Sequence, residues 1–148
     1  MSIGGDPQMQ ELSSQLEELE QHRQALQAEI ESLQAQKRDV DDAIEAVENL
    51  ETEMTVQVPI GGGAYVRAEI EDIDEIIVDV GADYSAERDQ EGAVTTLEHK
   101  KETLDARIAE FREDIQQVES QSQQIEQQVE QLQAQQMQQL QGQMQQDE

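Results

Sequence analysis

The residues with the clearest potential for chemistry are three consecutive glycines at positions 61–63, in the stretch VPIGGGAYVRAEI. A glycine-rich loop binds phosphate when it leads into the N-terminus of a helix, usually with a Lys followed by Ser or Thr. Here the glycines lead into residues 64–70, where apolar and polar side chains alternate as in a β-strand. We therefore interpret them as a hairpin turn, in which glycine permits positive φ angles, and we predict no nucleotide or other cofactor site.

The other candidates for catalysis or metal binding are two histidines and two pairs of adjacent acids. His22 and His99 occupy outer heptad positions, and the sequence places no cluster of ligands around either of them. The acid pairs are expected on solvated surfaces: Asp41 with Asp42, and Glu71 with Asp72. A catalytic acid or base is usually held where its surroundings shift its pKa, and the sequence indicates no such pocket. We therefore predict no catalytic residue, no metal site and no enzyme activity.

Most of the chain follows the heptad pattern of long coiled-coil helices, with core positions at alternating steps of three and four. Asp6 and Pro7 fit the N-cap and the first position of the first helix. Arg23 and Lys37 are its polar core residues, where long side chains bury their methylenes and direct the charge to the rim. The core positions are Met9, Leu12, Leu16, Leu19, Arg23, Leu26, Ile30, Leu33, Lys37, Val40, Ile44 and Val47.

A second heptad series follows Asp89, which fits the N-cap of another long helix. Its core positions are Val94, Leu97, Lys101, Leu104, Ile108, Phe111, Ile115, Val118, Ser122, Ile125, Val129 and Leu132. After Leu132 the phase slips, and glutamine fills more than half of positions 131–146. That stretch is compatible with a helix or with a disordered low-complexity tract.

Between the two heptad series, apolar and polar residues alternate with the period of half-buried strands. With turns at residues 61–63 and at the EDIDE segment, the pattern predicts four short strands in two hairpins. Isolated hairpins are marginal in water, and their apolar faces and free edges need partners. We expect them to pair with hairpins of other subunits and close into a small barrel. The predicted assembly residues are Val56, Val58, Ile60, Val66, Ala68, Ile70, Ile76, Val78 and Val80.

The composition argues against several classes of protein. The 148 residues include 35 Asp and Glu against 9 Lys and Arg, for a formal net charge of −26. This balance argues against nucleic-acid binding and favours work in concentrated salt, although an ordinary acidic coiled coil is the alternative. No apolar run approaches the ~18 residues of a membrane helix, and the N-terminus lacks a signal-peptide pattern. We therefore predict a soluble, cytoplasmic protein without membrane or nucleic-acid partners.

The order helix, two hairpins, helix, with VPIGGGAYVRAEI followed by IDEIIVDVGA, resembles the alpha subunits of the archaeal prefoldin family. The resemblance covers essentially the whole chain, and the glycine-rich block is its most specific part. It implies a hexamer of two alpha and four beta subunits, with a double β-barrel body and six coiled-coil arms. It also implies a chaperone that holds non-native proteins without ATP and passes them to a group II chaperonin. The acidic surface, which suits a halophilic archaeon, and the glutamine-rich extension depart from the family pattern.

The helix register locates a candidate surface for client proteins. If Val47 faces about Val94 in an antiparallel pair, Met9 faces about Leu132, and the apolar residues beyond have no partner on the first helix. Exposed methionines suit a surface that binds many partners, while a frayed end with incidental apolar residues is the alternative. The predicted client-binding residues at the arm ends are Met9, Leu12, Met137, Leu140 and Met144.

The predicted fold is therefore α+β, a long antiparallel two-helix coiled coil with two β-hairpins at the bend. We assign residues 1–148 to one domain, with helix 1 at about 6–52, the hairpins at 54–88, helix 2 at 89–141 and a tail at 142–148. The predicted function is that of a chaperone subunit that holds non-native proteins. The alternative is a structural or adaptor coiled coil for one defined partner, which explains the heptads but not the hairpins.

Overall fold

The computed structural model describes residues 7–146, which form two long helices with two β-hairpins between them. The elements in chain order are α1 (Pro7–Asn49), β1 (Thr55–Gly61), β2 (Ala64–Glu69), β3 (Ile76–Gly81), β4 (Tyr84–Arg88) and α2 (Gln90–Gln146). The predicted α+β class, with long heptad helices and two antiparallel hairpins, is confirmed. The chain divides into two compact units. One comprises the segments up to Ser32 and from Ile108, and the other is Leu33–Arg107.

The heptad series account for most of the buried side chains of the two helices. Every predicted core position of α1 and α2 is buried or half-buried, including the four polar ones. In the first unit the most buried side chains are Leu12, Leu26, Ile30, Ile108 and Val118. In the second unit they are Leu33, Val78 and Ala93. Full burial of a Leu or Ile side chain is worth roughly 1.5–3 kcal/mol, so this apolar seam is a main source of stability in each unit.

The start of α2 is fixed by the cap that its sequence predicts. The Oδ1 atom of Asp89 accepts a hydrogen bond from the Gly92 amide at 2.7 Å, and its carbonyl accepts one from Ala93 at 2.8 Å. The first bond satisfies a donor that the first turn of a helix leaves unpaired, and the second is the first backbone bond of the helix itself. The corresponding prediction for α1 falls on Asp6, which lies outside the described residues.

The far end of α2 is helical although it has no buried stripe. All side chains of residues 133–144 are exposed, yet the helix continues to Gln146. It therefore includes residues 142–146, which the sequence pattern had assigned to a tail. Glutamine is a good helix former, and a single glycine such as Gly142 costs only about 1 kcal/mol relative to alanine. Local helix propensity is consistent with a helical conformation at this end of α2.

Each hairpin closes through residues with positive φ angles. In the first, Gly62 and Gly63 have φ angles of 60° and 81°, as predicted for the triple glycine. In the second, Ala82 and Asp83 have φ angles of 52° and 64°, although neither is glycine. Asp tolerates this left-handed region better than most side chains, whereas alanine has no such advantage. The second hairpin turn was not recognised in the sequence.

The segment between the hairpins ties them to the helix ends of the second unit. The Oδ1 atom of Asp72 accepts a hydrogen bond from the Asp74 amide, and Thr52 Oγ1 accepts one from Ile73, both at 3.0 Å. Asp74 Oδ1 in turn accepts a hydrogen bond from the backbone amide of Gln90 at 3.2 Å. The turn predicted at EDIDE is thus anchored both to Thr52, in the loop that follows α1, and to the start of α2.

The side chain of Gln90 completes this anchor. Its Nε2 atom donates to the carbonyls of Val47 at 2.8 Å and Leu50 at 3.0 Å. The Val47 carbonyl lies in the last turn of α1, and the Leu50 carbonyl directly follows the helix, which ends at Asn49. The first residue of α2 therefore caps the end of α1, which fixes the base from which both hairpins extend.

Candidate functional site

The first hairpin presents an apolar face that the chain itself leaves open. Val58 and Val66 are directly opposite each other on β1 and β2, and both are exposed. Ile60, nearer the turn, is exposed as well. Three further predicted assembly residues of this hairpin are half-buried: Val56, Ala68 and Ile70. The residues that the alternating pattern placed on one face are therefore available to a partner to different degrees.

The second hairpin differs because part of its apolar face is already covered within the chain. Val78 is only 6% exposed, Ile76 is half-buried and Val80 is exposed. On the other face of β3, Ile77 is 76% exposed and lies opposite Glu87. Ile77 is absent from the predicted assembly residues. Its signal in the sequence was the pair of consecutive isoleucines, which gives this strand an apolar residue on both faces.

Two lysines of the seam join the helices of the second unit. Lys37 Nζ on α1 lies 2.6 Å from Asp105 Oδ1 on α2, and Lys101 Nζ on α2 lies 2.7 Å from Asp41 Oδ1 on α1. The hydrogen bond to Asp41, together with its negative charge, raises the pKa of Lys101 above its ordinary value of 10.5. In both pairs the residue numbers add to 142, which defines the antiparallel register. The two aspartate partners were not predicted.

In the first unit the polar core residue Arg23 is held on its own helix. Its guanidinium donates two hydrogen bonds to the carboxylate of Glu20, at 2.7 Å and 3.1 Å. These bonds lower the pKa of Glu20 below its ordinary value. The bonds and charge of Glu20 raise the pKa of Arg23, and the charge of Glu119 on α2 adds a smaller increase. Arg23 and Glu119 also have numbers that add to 142, which agrees with the same register in the first unit.

This register leaves the end of α2 beyond the start of α1. It pairs Pro7, the first residue of α1, with residue 135. No residue of Pro7–Asn49 is therefore paired with residues 137–146, which we call the terminal segment. Met137, Leu140 and Met144 are 64%, 61% and 75% exposed, and their spacing of three and four places them on one helix face. The terminal segment thus offers about 15 Å of helix with an open apolar face.

The two other predicted client-binding residues lie in the seam of the first unit. Met9 is half-buried, and Leu12 is only 7% exposed. A client could reach Leu12 only if the two helices separated there. The apolar surface that is available at this part of the arm is therefore that of the terminal segment.

Metal-ligating side chains are not clustered in the described part of the chain. Within residues 7–146 no group of three or more His, Cys, Asp or Glu side chains is arranged to hold a metal ion. His22 and His99 are both exposed on the helices. No helix in this part of the chain is long and apolar enough to span a membrane. The described geometry is that of a coiled-coil protein with exposed apolar side chains on its hairpins and at the end of α2.

Comparison with known proteins assigns this geometry to a family. A model of prefoldin subunits matches residues 19–135, which contain both hairpins and most of both helices. The chain belongs to the prefoldin family. Members of this family are non-enzymatic chaperone subunits that form oligomeric complexes with other prefoldin subunits. A chaperone function for this chain follows from that membership.

Curated relatives support the resemblance to alpha subunits of halophilic archaea. The chain is 56% identical to prefoldin subunit alpha of Haloarcula marismortui over 114 residues, which cover 77% of this chain and 74% of the relative. It is 52% identical to that of Halorubrum lacusprofundi over 113 residues, covering 76% and 74%. It is 51% identical to prefoldin subunit alpha of Halobacterium salinarum over 105 residues, which cover 71% of this chain and 68% of the relative. The resemblance to alpha subunits of halophilic archaea is thereby confirmed.

A solved structure shows the same fold. A chain of filamentous PFD from Methanocaldococcus jannaschii, determined by cryo-EM, aligns with a TM-score of 0.52 at 23% identity. The alignment covers 81% of this chain and 96% of that chain. At this level of identity the likeness concerns the fold, and it places two long helices and the hairpins in one known architecture.

Proposed function

We propose that the chain is the alpha subunit of an ATP-independent holdase in the cytoplasm. It assembles through its hairpins, binds non-native proteins with the ends of its arms and passes them to a group II chaperonin. The observation that carries the proposal is the terminal segment, where Met137, Leu140 and Met144 form one open apolar face. A holdase needs such a surface because unfolded chains have in common exposed apolar side chains and no fixed sequence.

The assembly step rests on the hairpin faces. Val58 and Val66 are paired across two strands, and Ile60 adjoins them, all exposed in the single chain. A two-stranded hairpin with an open apolar face gains stability when further strands cover it. We propose that these faces, with the half-buried Val56, Ala68, Ile70 and Ile76 and the exposed Val80, join hairpins of beta subunits in barrels. The assembly would be a hexamer of two alpha and four beta chains.

The proposed binding of clients relies on flexible side chains and on several arms that act on one client. Methionine is unbranched and polarizable, so it adapts to irregular apolar partners. Each contact is weak because the terminal segment is exposed and mobile side chains lose entropy on binding. Several arms that act on one client raise the overall affinity without any strong single contact. The acidic side chains along the arms, part of a net charge of −26, would keep the loaded complex soluble.

The proposed function is tested by aggregation assays with the assembled complex in molar KCl. The chain is combined with beta-type prefoldin subunits and mixed with three unrelated denatured proteins, while light scattering is followed without nucleotide. We expect suppression of aggregation for all three proteins and no change when ATP is added. Suppression for none of them would refute the proposal, and suppression for a single one would favour the adaptor function.

Transfer to a chaperonin is tested separately. A labelled client bound to the complex is mixed with a purified group II chaperonin, and the label is followed by size-exclusion chromatography. We expect the label to move to the chaperonin fraction faster than it is released into buffer. Equal rates with and without the chaperonin would show that the complex holds clients but does not hand them over.

A further inference from the structure

We infer that the end of α2 is free of charge so that the arm can capture unfolded polypeptides that are themselves acidic. The inference rests on the proposed function, because it concerns the chemical class of client bound at the terminal segment. Charged residues make up 30% of the chain, yet none occurs between Gln131 and Gln146. The uncharged stretch, residues 131–146, contains the whole terminal segment.

The fold does not require this stretch to be uncharged. All side chains of residues 133–144 are exposed, so packing does not select their type. Elsewhere on α2, exposed positions such as Glu119, Glu126 and Glu130 carry acids. The helix macrodipole disfavours acids only in the last turn, and it would favour Lys or Arg there, which are equally absent. Lys and Arg are rare throughout the chain, so it is the absence of acids that points to what this surface contacts.

The acidity of the chain indicates what the clients are like. Proteins that work in concentrated salt carry many acids, as this chain does with its net charge of −26. Several of its relatives, which match most of the chain, come from halophilic archaea. An unfolded client in the same solution is then an acidic chain as well. Its apolar side chains are interspersed with carboxylates, so an arm that contacts the former also meets the latter.

Concentrated salt does not remove the cost of placing a carboxylate on the binding face. At 1 M salt the Debye length is ~3 Å, so repulsion at long range is screened. A carboxylate in direct contact with a client still loses hydration and meets like charges within that distance. Glutamine avoids this cost, because its amide donates and accepts hydrogen bonds without charge. An apolar face flanked by amides is thus suited to acidic polypeptides.

Helix geometry supplies matched positions for a test. Gln133 and Gln141 lie four residues before and after Met137, so they share the face of the three apolar residues. Gln135 and Gln139 lie on the opposite face of the same helix turns. All four glutamines are exposed. Glu and Lys have helix propensities close to that of Gln, so substitution leaves the helix intact.

The experiment compares three double variants in the assembled complex in molar KCl. These are Gln133→Glu with Gln141→Glu on the apolar face, Gln135→Glu with Gln139→Glu on the opposite face, and Gln133→Lys with Gln141→Lys. Each complex is tested for suppression of aggregation of a denatured acidic protein and a denatured basic protein of similar size. The concentration of complex that gives half-suppression is measured for each client.

We expect the apolar-face Glu variant to need about three to ten times more complex for the acidic client, with a smaller change for the basic one. The Lys variant should lose nothing with the acidic client, and the opposite-face variant should match the wild type. Equal values for all variants with both clients, or equal losses for both clients, would overturn the inference. If the wild-type complex suppresses neither client, the proposed function itself is refuted, which is a distinct outcome.

Discussion

Lys37 of α1 and Asp105 of α2 form an ion pair across the seam, with 2.6 Å between Nζ and Oδ1. Lys101 and Asp41 repeat this pair at 2.7 Å with the roles of the helices exchanged. A shift by one heptad would place Arg112 opposite Lys37 or, in the other direction, a glutamine opposite Lys101. Either shift loses at least one attraction, so the crossed pairs favour the observed register.

The first prediction is that the Lys37–Asp105 pair stabilises the observed register of the two helices. Lys37→Asp and Asp105→Lys should each lower the free energy of unfolding, and the double variant should recover most of the loss. Since both side chains are partly exposed, we expect a coupling of at most about 1 kcal/mol. Urea unfolding followed by circular dichroism at one fixed salt concentration measures it. Arg38→Asp, at the exposed neighbouring position of α1, is the control for net charge. If the double variant loses as much free energy of unfolding as the two single variants together, the two side chains are not coupled.

The second prediction concerns alkaline pH. Asp41 raises the pKa of Lys101 above 10.5, so the pair stabilises the folded state fully below that value. The contribution is lost as pH rises through the raised pKa. The variant Asp41→Asn should therefore melt below the wild type at pH 8, and the difference should shrink as the pH rises above 10.5 and through the raised pKa of Lys101. Thermal melts across this range test the sign. A difference that stays constant up to the highest pH would show that Asp41 acts through something other than the Lys101 charge.

The seam was predictable because coiled-coil burial depends on local spacing. Each core position from Met9 to Leu132 could be assigned from steps of three and four, and each is buried or half-buried. Asp41 and Asp105 were missed because their role depends on residues far away in the chain. The signal was present: the register estimated from Val47 and Val94 places both acids near the core lysines.

The hairpins show which structural features the sequence pattern could predict and which it could not. The alternating pattern predicted their strands, and residues 61–63 their first turn, since three consecutive glycines readily adopt the positive φ angles that a tight turn requires. The turn at Ala82 and Asp83 has no such marker. Alternation also could not show that Val78 is covered within the chain while Ile77 is exposed. That difference depends on how the hairpin lies on the rest of its unit.

The third prediction separates assembly from folding. Val66→Asp changes an exposed residue, so the single chain should keep its helicity. An assembly that covers this face would have to bury an unpaired carboxylate, at a cost of several kcal/mol. We expect native mass spectrometry to show little or no complex with beta subunits. Arg67→Asp, on the other face of the same strand, is the control and should assemble. A Val66→Asp chain that assembles as fully as the control would place the contact face elsewhere.

Val78→Asp should behave differently from Val66→Asp. Val78 is buried within the single chain, so the substitution should lower the melting temperature even without a partner. The comparison requires only the isolated chain and circular dichroism. If both variants melt like the wild type, the second hairpin does not pack against its own chain as described.

The fourth prediction concerns salt. With a net charge of −26 per chain, subunits repel each other more strongly when the Debye length grows from ~3 Å at 1 M to ~10 Å at 0.1 M salt. We expect the complex to sediment more slowly and to melt at a lower temperature in 0.1 M KCl. A complex with the same sedimentation and melting behaviour at both concentrations would show that the acidic surface is not an adaptation to salt.

The central claim is that the terminal segment binds clients, and truncation after Ala134 tests it most directly. The truncated chain keeps the seam up to Leu132, so the complex should assemble and melt nearly as before. The triple variant Met137→Gln, Leu140→Gln and Met144→Gln keeps the helix but removes its apolar face. Both should suppress aggregation of a denatured protein less well than the wild type, since several weak contacts per arm are lost together.

Arms of the beta subunits remain in this assay, so we expect weakening and not loss. In a complex whose beta subunits are also truncated, the defect should deepen, with the concentration for half-suppression as the readout. If truncation and the triple variant both leave that concentration unchanged even in this background, the terminal segment does not bind clients and the binding surface lies elsewhere on the arms.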